Sequence, residues 1–407
     1  MDAAVAELER GSIEVAGVRR TYWVARAPRA PGQPARAPLL IVLHGSGIDG
    51  RTTARWTGLA ERGPAAGVTT VFPDGWEGVW HPFRAPDRET RLDDPRFLNE
   101  LSSHLEGQGA ARSWPVFLAG VSNGARFAEH VARHGLLPVA GLFLVAGTGL
   151  EASRRLAPVP AQRASVDVMV GTADRTMPYD GGRLTRHGLS GLVLKRRAAR
   201  HGELPGEDVV TGAEALARDW ASGNGIKSGP AIEELPTQPG DPTVTTQTWT
   251  AAGCRPVTLY RIDGGGHGWP GGPQFLPARI VGQIPRHLDA SGILLGMVER
   301  EDSANSGRRI LGPGGHAQSR QNGPAPRLGP RRTSWSLNLN MTASRSSGTG
   351  LTVKRCAPQH CPYSGPESQA RSKPRSSNQA HTCGTRSGSQ RPLVHMTVPP
   401  AAHSCGQ

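Results

Sequence analysis

Short uninterrupted apolar runs alternate with segments of helical spacing through the first 300 residues. Leu39 to Leu43, in Pro38-Leu-Leu-Ile-Val-Leu-His44, contains no polar position, as a strand buried on both faces requires. Val68–Phe72, Pro115–Ala119, Val139–Ala146, Val166–Val170 and Val257–Ile262 read the same way. Ser12–Ala16 and Arg20–Arg26 predict an opening hairpin around Ala16-Gly17. Between the strands, helices are predicted over Trp56–Ala66, closed by Gly67, and over Asp94–Glu106, with Phe97, Leu98, Leu101 and Leu105 on one face. Further helices are predicted over Ala125–His134, closed by Gly135, over Thr211–Gly223, with Leu216 and Trp220 apolar, and over Leu288–Val298. Strands alternating with helices predict an α/β fold: a mostly parallel central sheet with helices on both faces.

The pattern stops near residue 300. Of the 107 residues in 301–407, only 10 are Leu, Ile, Val or Phe. Too little apolar surface is available there to offset chain entropy, so this segment is expected to be a disordered tail. The chain accordingly divides into a body, 1–300, and a low-complexity basic tail, 301–407. Charge follows the same division. The body holds 33 basic and 30 acidic side chains, and the tail 14 and 3; net charges of +3 and +11 make up the total of +14. A basic nucleic-acid-binding face on the body is therefore not expected. A basic arm for polyanions is one reading of the tail; having neither aromatic interleaving nor a clustered basic run, it reads rather as a solvated extension or a translated non-coding or frame-shifted segment. With only four Lys, nearly every basic residue is Arg, a composition bias that carries no information about partners.

No stretch reaches the 18 apolar residues of a membrane span. The segment Met1 to Arg10 lacks an apolar h-region, so no signal peptide is read and a cytoplasmic location is the expectation. Of the five Cys, only Cys254 lies in the body, which therefore has no internal disulfide. In the tail, Cys356, His360, Cys361 and Cys383 have a spacing that fits no zinc pattern, and no metal or cofactor is expected.

Gly120-Val121-Ser122-Asn123-Gly124 matches G-x-S-x-G. With 53 Gly in the chain, about 0.5 such matches arise by chance, so the motif alone says little. Its context says more: it follows an apolar strand and opens a helix, the setting in which a serine is held on a tight turn above the sheet's carboxyl edge. A serine hydroxyl needs a base to act as a nucleophile. His267 offers one, in the glycine-rich loop Gly264-Gly-Gly-His-Gly-Trp-Pro-Gly-Gly272 after the last strand. The other body histidines, 44, 81, 104, 130, 134, 187, 201 and 287, read as mostly solvated. A carboxylate to orient the imidazole is offered by Asp174 in Gly171-Thr-Ala-Asp174. Asp180, in Pro178-Tyr-Asp-Gly-Gly182, is the rival; Asp174 lies nearer the strand end. The order Ser122, Asp174, His267 is that of an α/β-hydrolase. Backbone N–H groups of Gly45, Ser46 and Asn123 are placed to hold an oxyanion. Trp76, Trp80 and Trp269 are candidates for a substrate pocket and equally for core.

Together, Leu43-His-Gly-Ser-Gly47, Pro73-Asp-Gly75, Asp93-Asp94 before Phe97-Leu98, the Ser122 motif, Gly171-Thr-Ala-Asp174 with Pro178-Tyr-Asp-Gly-Gly182, and the His267 loop resemble the polyhydroxybutyrate depolymerase family of esterases, related to feruloyl and acetylxylan esterases. Residues 12–298 carry the resemblance. It implies an α/β-hydrolase fold and a serine esterase in which Ser122 is nucleophile, His267 base and Asp174 orienter. The implied substrate is poly(3-hydroxybutyrate) or its oligomers, without metal or cofactor; a feruloyl or acetylxylan ester of plant polysaccharide is the alternative. A non-catalytic hydrolase-like binding protein is the reading from another class. Many relatives carry a Cys soon after the His-Gly of the oxyanion loop, where this chain has Ser46 and Gly47. Relatives are often extracellular, and this chain shows no separate polymer-binding domain.

Overall fold

The computed structural model describes residues 7–28, 37–81, 93–112, 114–184 and 209–310, with the side chains of the last helix described to residue 304. Ten of the described strands form one sheet. An antiparallel hairpin of β1 (Glu9–Val15) and β2 (Val18–Ala25) lies at one side. Six parallel strands follow in the spatial order β4 (Thr69–Pro73), β3 (Leu39–Leu43), β5 (Val116–Val121), β6 (Gly141–Val145), β7 (Ser165–Gly171) and β12 (Val257–Asp263). Antiparallel β11 (Thr243–Trp249) and β10 (Ala231–Leu235) close the far side. A separate two-stranded pair joins β8 (Gly181–Arg183) to β9 (Val209–Thr211). Strand order, parallel centre and antiparallel entry are those of an α/β-hydrolase, the fold the sequence predicts.

The apolar runs are explained by burial on both faces. Within β3, Leu39, Ile41 and Leu43 join one core cluster, while Leu40 and Val42 join the other. The first cluster is covered by α3 (Asp94–Gly107), α4 (Asn123–Arg133) and α6 (Ala213–Gly223), through residues such as Phe97, Leu101, Phe127, Val131, Leu216 and Trp220. The second is covered by α1 (Gly50–Thr57), α2 (Leu59–Ala65) and α8 (Ala290–Ile310), through Ala54, Leu59, Leu294 and Met297. Two short helices, α5 (Glu151–Leu156) and α7 (Ala278–Val281), lie in connections. Among the described residues no helix is long and apolar enough to cross a membrane.

Four details differ from the sequence reading. The helix expected over Trp56–Ala66 is two helices: it starts earlier, where the Asp49 side chain accepts from the Thr52 N–H, and it breaks at Gly58, whose φ of 65° no helix interior sustains. The hairpin β10–β11 has no apolar run to signal it. In β11, Thr243-Val-Thr-Thr-Gln-Thr-Trp249 alternates buried and half-exposed positions, and its β-branched content was the available sign. The short elements β8, β9 and α5 were likewise absent from the reading. Finally, α8 continues to Ile310, past the boundary at 300, and Arg112 binds Asp302 at 2.5 Å while Ser165 donates to Glu301. Residues 311–407, including the tail cysteines, lie outside the described residues.

One buried carboxyl sets a pH dependence. Asp167 in β7 is 5% exposed, and its Oδ2 has no hydrogen-bond partner. Burial pushes its pKa up to about 7, against the opposing effect of Arg300 and a Thr258 hydrogen bond. A folded-state value above the ordinary one means that folding favours the protonated form. That stabilisation is complete below about pH 4 and is lost as pH rises through about 7. Asp167→Asn is therefore expected to match the parent near pH 4 and to exceed its stability at pH 8 by up to roughly 4 kcal/mol, at about 1.4 kcal/mol per pH unit. Urea unfolding at the two pH values measures this; a stability gap that does not widen with pH contradicts it.

Candidate active site

The serine turn is built by close backbone approach. Ser122 sits between β5 and α4 at φ 56°, ψ −116°, a conformation that costs a non-glycine residue about 1–3 kcal/mol. Its N–H donates to Val145 O at 2.9 Å, and Arg126 N–H donates to its carbonyl at 3.1 Å, so the neighbouring strand and helix hold it there. Both motif glycines are needed for clearance. A Cβ at Gly120 would lie 2.4 Å from the Gly124 carbonyl, and one at Gly124 would lie 2.5 Å from the carbonyl oxygens of Leu43 and His44.

The histidine loop follows the same logic at the adjacent strand ends. A Cβ at Gly171, ending β7, would meet Gly265 O at 2.2 Å; one at Gly266 would meet Val281 O at 2.1 Å. In that space Gly266 N–H donates to Gln283 O at 2.8 Å and His267 N–H to Val281 O at 2.5 Å. The His267 ring is thereby brought between Ser122 and Asp174. Ser122 Oγ lies 2.9 Å from Nε2, and Asp174 Oδ2 lies 2.7 Å from Nδ1. The other Asp174 oxygen accepts from the N–H groups of Thr176 and Met177 at 2.8 and 2.9 Å, which fixes the carboxylate's rotation. Asp174 is buried, whereas the rival Asp180 is exposed in its turn. Hydroxyl, imidazole and carboxylate thus form an unbroken line of the kind that carries a proton away from an attacking oxygen.

The loop after β3 passes beside this line. Gly45 runs so close that a Cβ there would stand 3.5 Å from Ser122 Cβ, and Gly47 N–H donates to Gly78 O at 2.9 Å. The loop's anchor is His44, which is fully buried; burial pushes its pKa down, so the ring is neutral. Nε2 accepts from Gly75 N–H at 2.8 Å, which leaves the proton on Nδ1 to donate to Gly45 O at 2.7 Å. Trp80 then ties loop to turn. Its indole N–H donates to His44 O at 3.1 Å, its backbone N–H donates to Asn123 Oδ1 at 2.8 Å, and Asn123 Nδ2 donates back to Trp80 O at 3.3 Å.

Several expectations are revised. His44 and His130 are buried, not solvated; His130 packs against Ser153 Oγ at 2.6 Å, and burial pushes it down to about 3. His187 and His201 lie outside the described residues. Trp80 stacks on Phe127 in the core and does not line the cavity beside Ser122. Trp76 sits exposed on a short 3-10 turn and is also absent from the lining, to which Trp269 does contribute. That cavity, of about 280 Å³, is walled as well by Trp56 and Phe275, which sequence patterning did not single out. An isolated Trp or Phe in a polar stretch reads as surface until the fold shows what faces it. Among the described residues no group of three or more His, Cys, Asp or Glu could hold a metal ion.

No family model matches the chain. A curated protein described as "Putative esterase NocK", from Nocardia uniformis subsp. tsuyamanensis, is 29% identical over 292 residues, 69% of this chain and 79% of its own length. Among solved structures, an acetyl xylan esterase from Aspergillus awamori is similar with a TM-score of 0.46 and 12% identity, over 71% of this chain and 99% of its own. A thermostable esterase has a TM-score of 0.34 and 15% identity, over 49% of this chain and 53% of its own. At those scores the α/β-hydrolase fold rests on the strand order and parallel centre described above.

The clearance argument can be tested at two glycines. Gly124→Ala is expected to lose about 1–3 kcal/mol or more of stability, because backbone carbonyls cannot move aside as side chains do. Gly107→Ala, with nothing within 4 Å, is expected to be neutral or slightly stabilising. Parallel denaturant titrations decide, and equal effects at the two sites would refute the argument.

Proposed function

We propose that the protein is a carboxylic ester hydrolase that works through an acyl-enzyme on Ser122. The observation that carries this reading is the Ser122–His267–Asp174 line, at 2.9 and 2.7 Å. Ser122 Oγ attacks the ester carbonyl carbon while His267 Nε2 takes its proton. Asp174 stabilises the imidazolium and holds the tautomer. The N–H groups of Gly45, Ser46 and Asn123 receive the charge that develops on the carbonyl oxygen. His267 returns its proton to the leaving alkoxide, the alcohol departs, and water activated by the same ring releases the acid. The family resemblance favours poly(3-hydroxybutyrate) oligomers as substrate. The aromatic residues at the cavity favour, as the second reading, an aryl ester of the feruloyl kind.

Ser122→Ala is expected to abolish turnover of p-nitrophenyl acetate and butyrate, and labelling by a fluorophosphonate, while thermal unfolding stays nearly unchanged. Full activity in that variant ends the proposal. Asp174→Asn is expected to lower kcat by about 10²–10⁴-fold, since an amide presents the wrong group to Nδ1. Asp180→Asn is expected to leave kcat unaltered; a reversed order would move the orienting role to Asp180. Product release from 3-hydroxybutyrate oligomers against methyl ferulate separates the two substrate readings.

A further inference from the structure

The cavity that begins at Ser122 has mainly apolar walls. No Lys, Arg, Asp or Glu lines it. Thr53 and Thr57 reach it, but their hydroxyls donate to Asp49 O and Thr53 O inside α1, at 3.1 and 2.9 Å. Ser46 and Thr176 add the only other hydroxyls beside Ser122, and no Lys or Arg is there to offset the lost hydration of an anionic acyl group.

Two aromatic rings from distant parts of the chain meet at this wall. Trp56, from the last turn of α1, stacks on Phe275 with centroids 4.8 Å apart and planes 22° apart. The rings already face each other, so a substrate packs along the pair and does not slide between them. Phe275 is not on a slack loop. The adjacent Gln274 donates its amide N–H to Leu276 O at 2.7 Å and to Gly282 O at 3.0 Å, and its Oε1 accepts from Ile284 N–H at 3.0 Å. The same loop is strapped to His267 through Val281 O. The aromatic wall is thus preorganised with the imidazole. Both Trp56 and Phe275 are only partly buried, with Ile280 exposed at the rim, so the wall is reachable from solvent.

We infer that Trp56 and Phe275 are specificity-determining residues, which hold the apolar acyl group of an uncharged ester. The inference rests on the esterase reading. The cavity is lined by Ser122 itself and by Gly45 and Ser46, so an acyl group esterified to Oγ has this space directly beside it. Its volume of about 280 Å³ suits a single short acyl chain or ring.

The test is a series of p-nitrophenyl esters, acetate, butyrate, hexanoate and the anionic hemisuccinate, with a fluorophosphonate to report on Ser122. The parent is expected to favour hexanoate over acetate in kcat/KM and to disfavour hemisuccinate at least tenfold. Trp56→Ala and Phe275→Ala are expected to lose about tenfold or more on hexanoate, mainly through KM, with acetate turnover and labelling within about threefold. Trp56→Phe, which keeps a ring in place, is expected to retain most of the hexanoate preference. Equal losses on acetate and hexanoate, or efficient hemisuccinate hydrolysis, would overturn the inference while leaving the esterase reading intact. If the parent neither labels nor turns over any ester, the esterase reading fails instead. Thermal shift with hexanamide then decides: stabilisation of the parent that disappears in Trp56→Ala supports the wall, and no stabilisation of the parent overturns it.

Discussion

Backbone must touch backbone at the carboxyl edge of the parallel sheet, and the site depends on that approach. Gly124 lies against the carbonyls of Leu43 and His44, Gly171 against Gly265, and Gly266 against Val281. Each contact is closer than a Cβ allows. Together they let three chain segments, of which the first and last stand 145 residues apart, deliver a hydroxyl, an imidazole and a carboxylate to one line. The unfavourable Ser122 dihedrals are part of the same construction: a strand on one side and a helix on the other determine them, and the hydroxyl is aimed by that strain.

A second layer of polar contacts, wholly buried, keeps the loop beside the serine in register. His44 is neutral because it is buried, and its two ring nitrogens bond one donor and one acceptor from separate loops. Trp80 links that loop to Asn123, the residue after the serine. A half-satisfied network of this kind would cost more than an apolar core, so its completeness is what makes it a rigid support. The esterase chemistry proposed for Ser122 uses backbone N–H groups whose positions this layer sets.

On the far side of the serine the protein changes character. The cavity wall is mainly aromatic and aliphatic, and its segment 274–284 is cross-braced by Gln274 and paired to the histidine loop. The cavity wall and the His267 loop are therefore joined directly by backbone hydrogen bonds.

Much of this was legible in the residues. The buried parallel strands show as apolar runs because both faces are covered, and Ser122, Asp174 and His267 show through their glycine-rich settings just beyond strand ends. The hairpin β10–β11 was not legible, since a half-exposed strand of threonines carries no apolar run. Nor was the break at Gly58, where one residue of positive φ divides a continuous helical pattern. His44 looked like a turn residue, and Trp80 stood open between pocket and core, because burial is not a property of a local segment. The chain by itself determined which residue types stand after which strands. Only the tertiary structure decided that Asp174 and not Asp180 faces the ring, that Trp56 meets Phe275, and that Trp80 supports the site from the core. The reason is physical: local sequence sets backbone preference and patterning, whereas the partner of a side chain is chosen by how distant strands and helices pack.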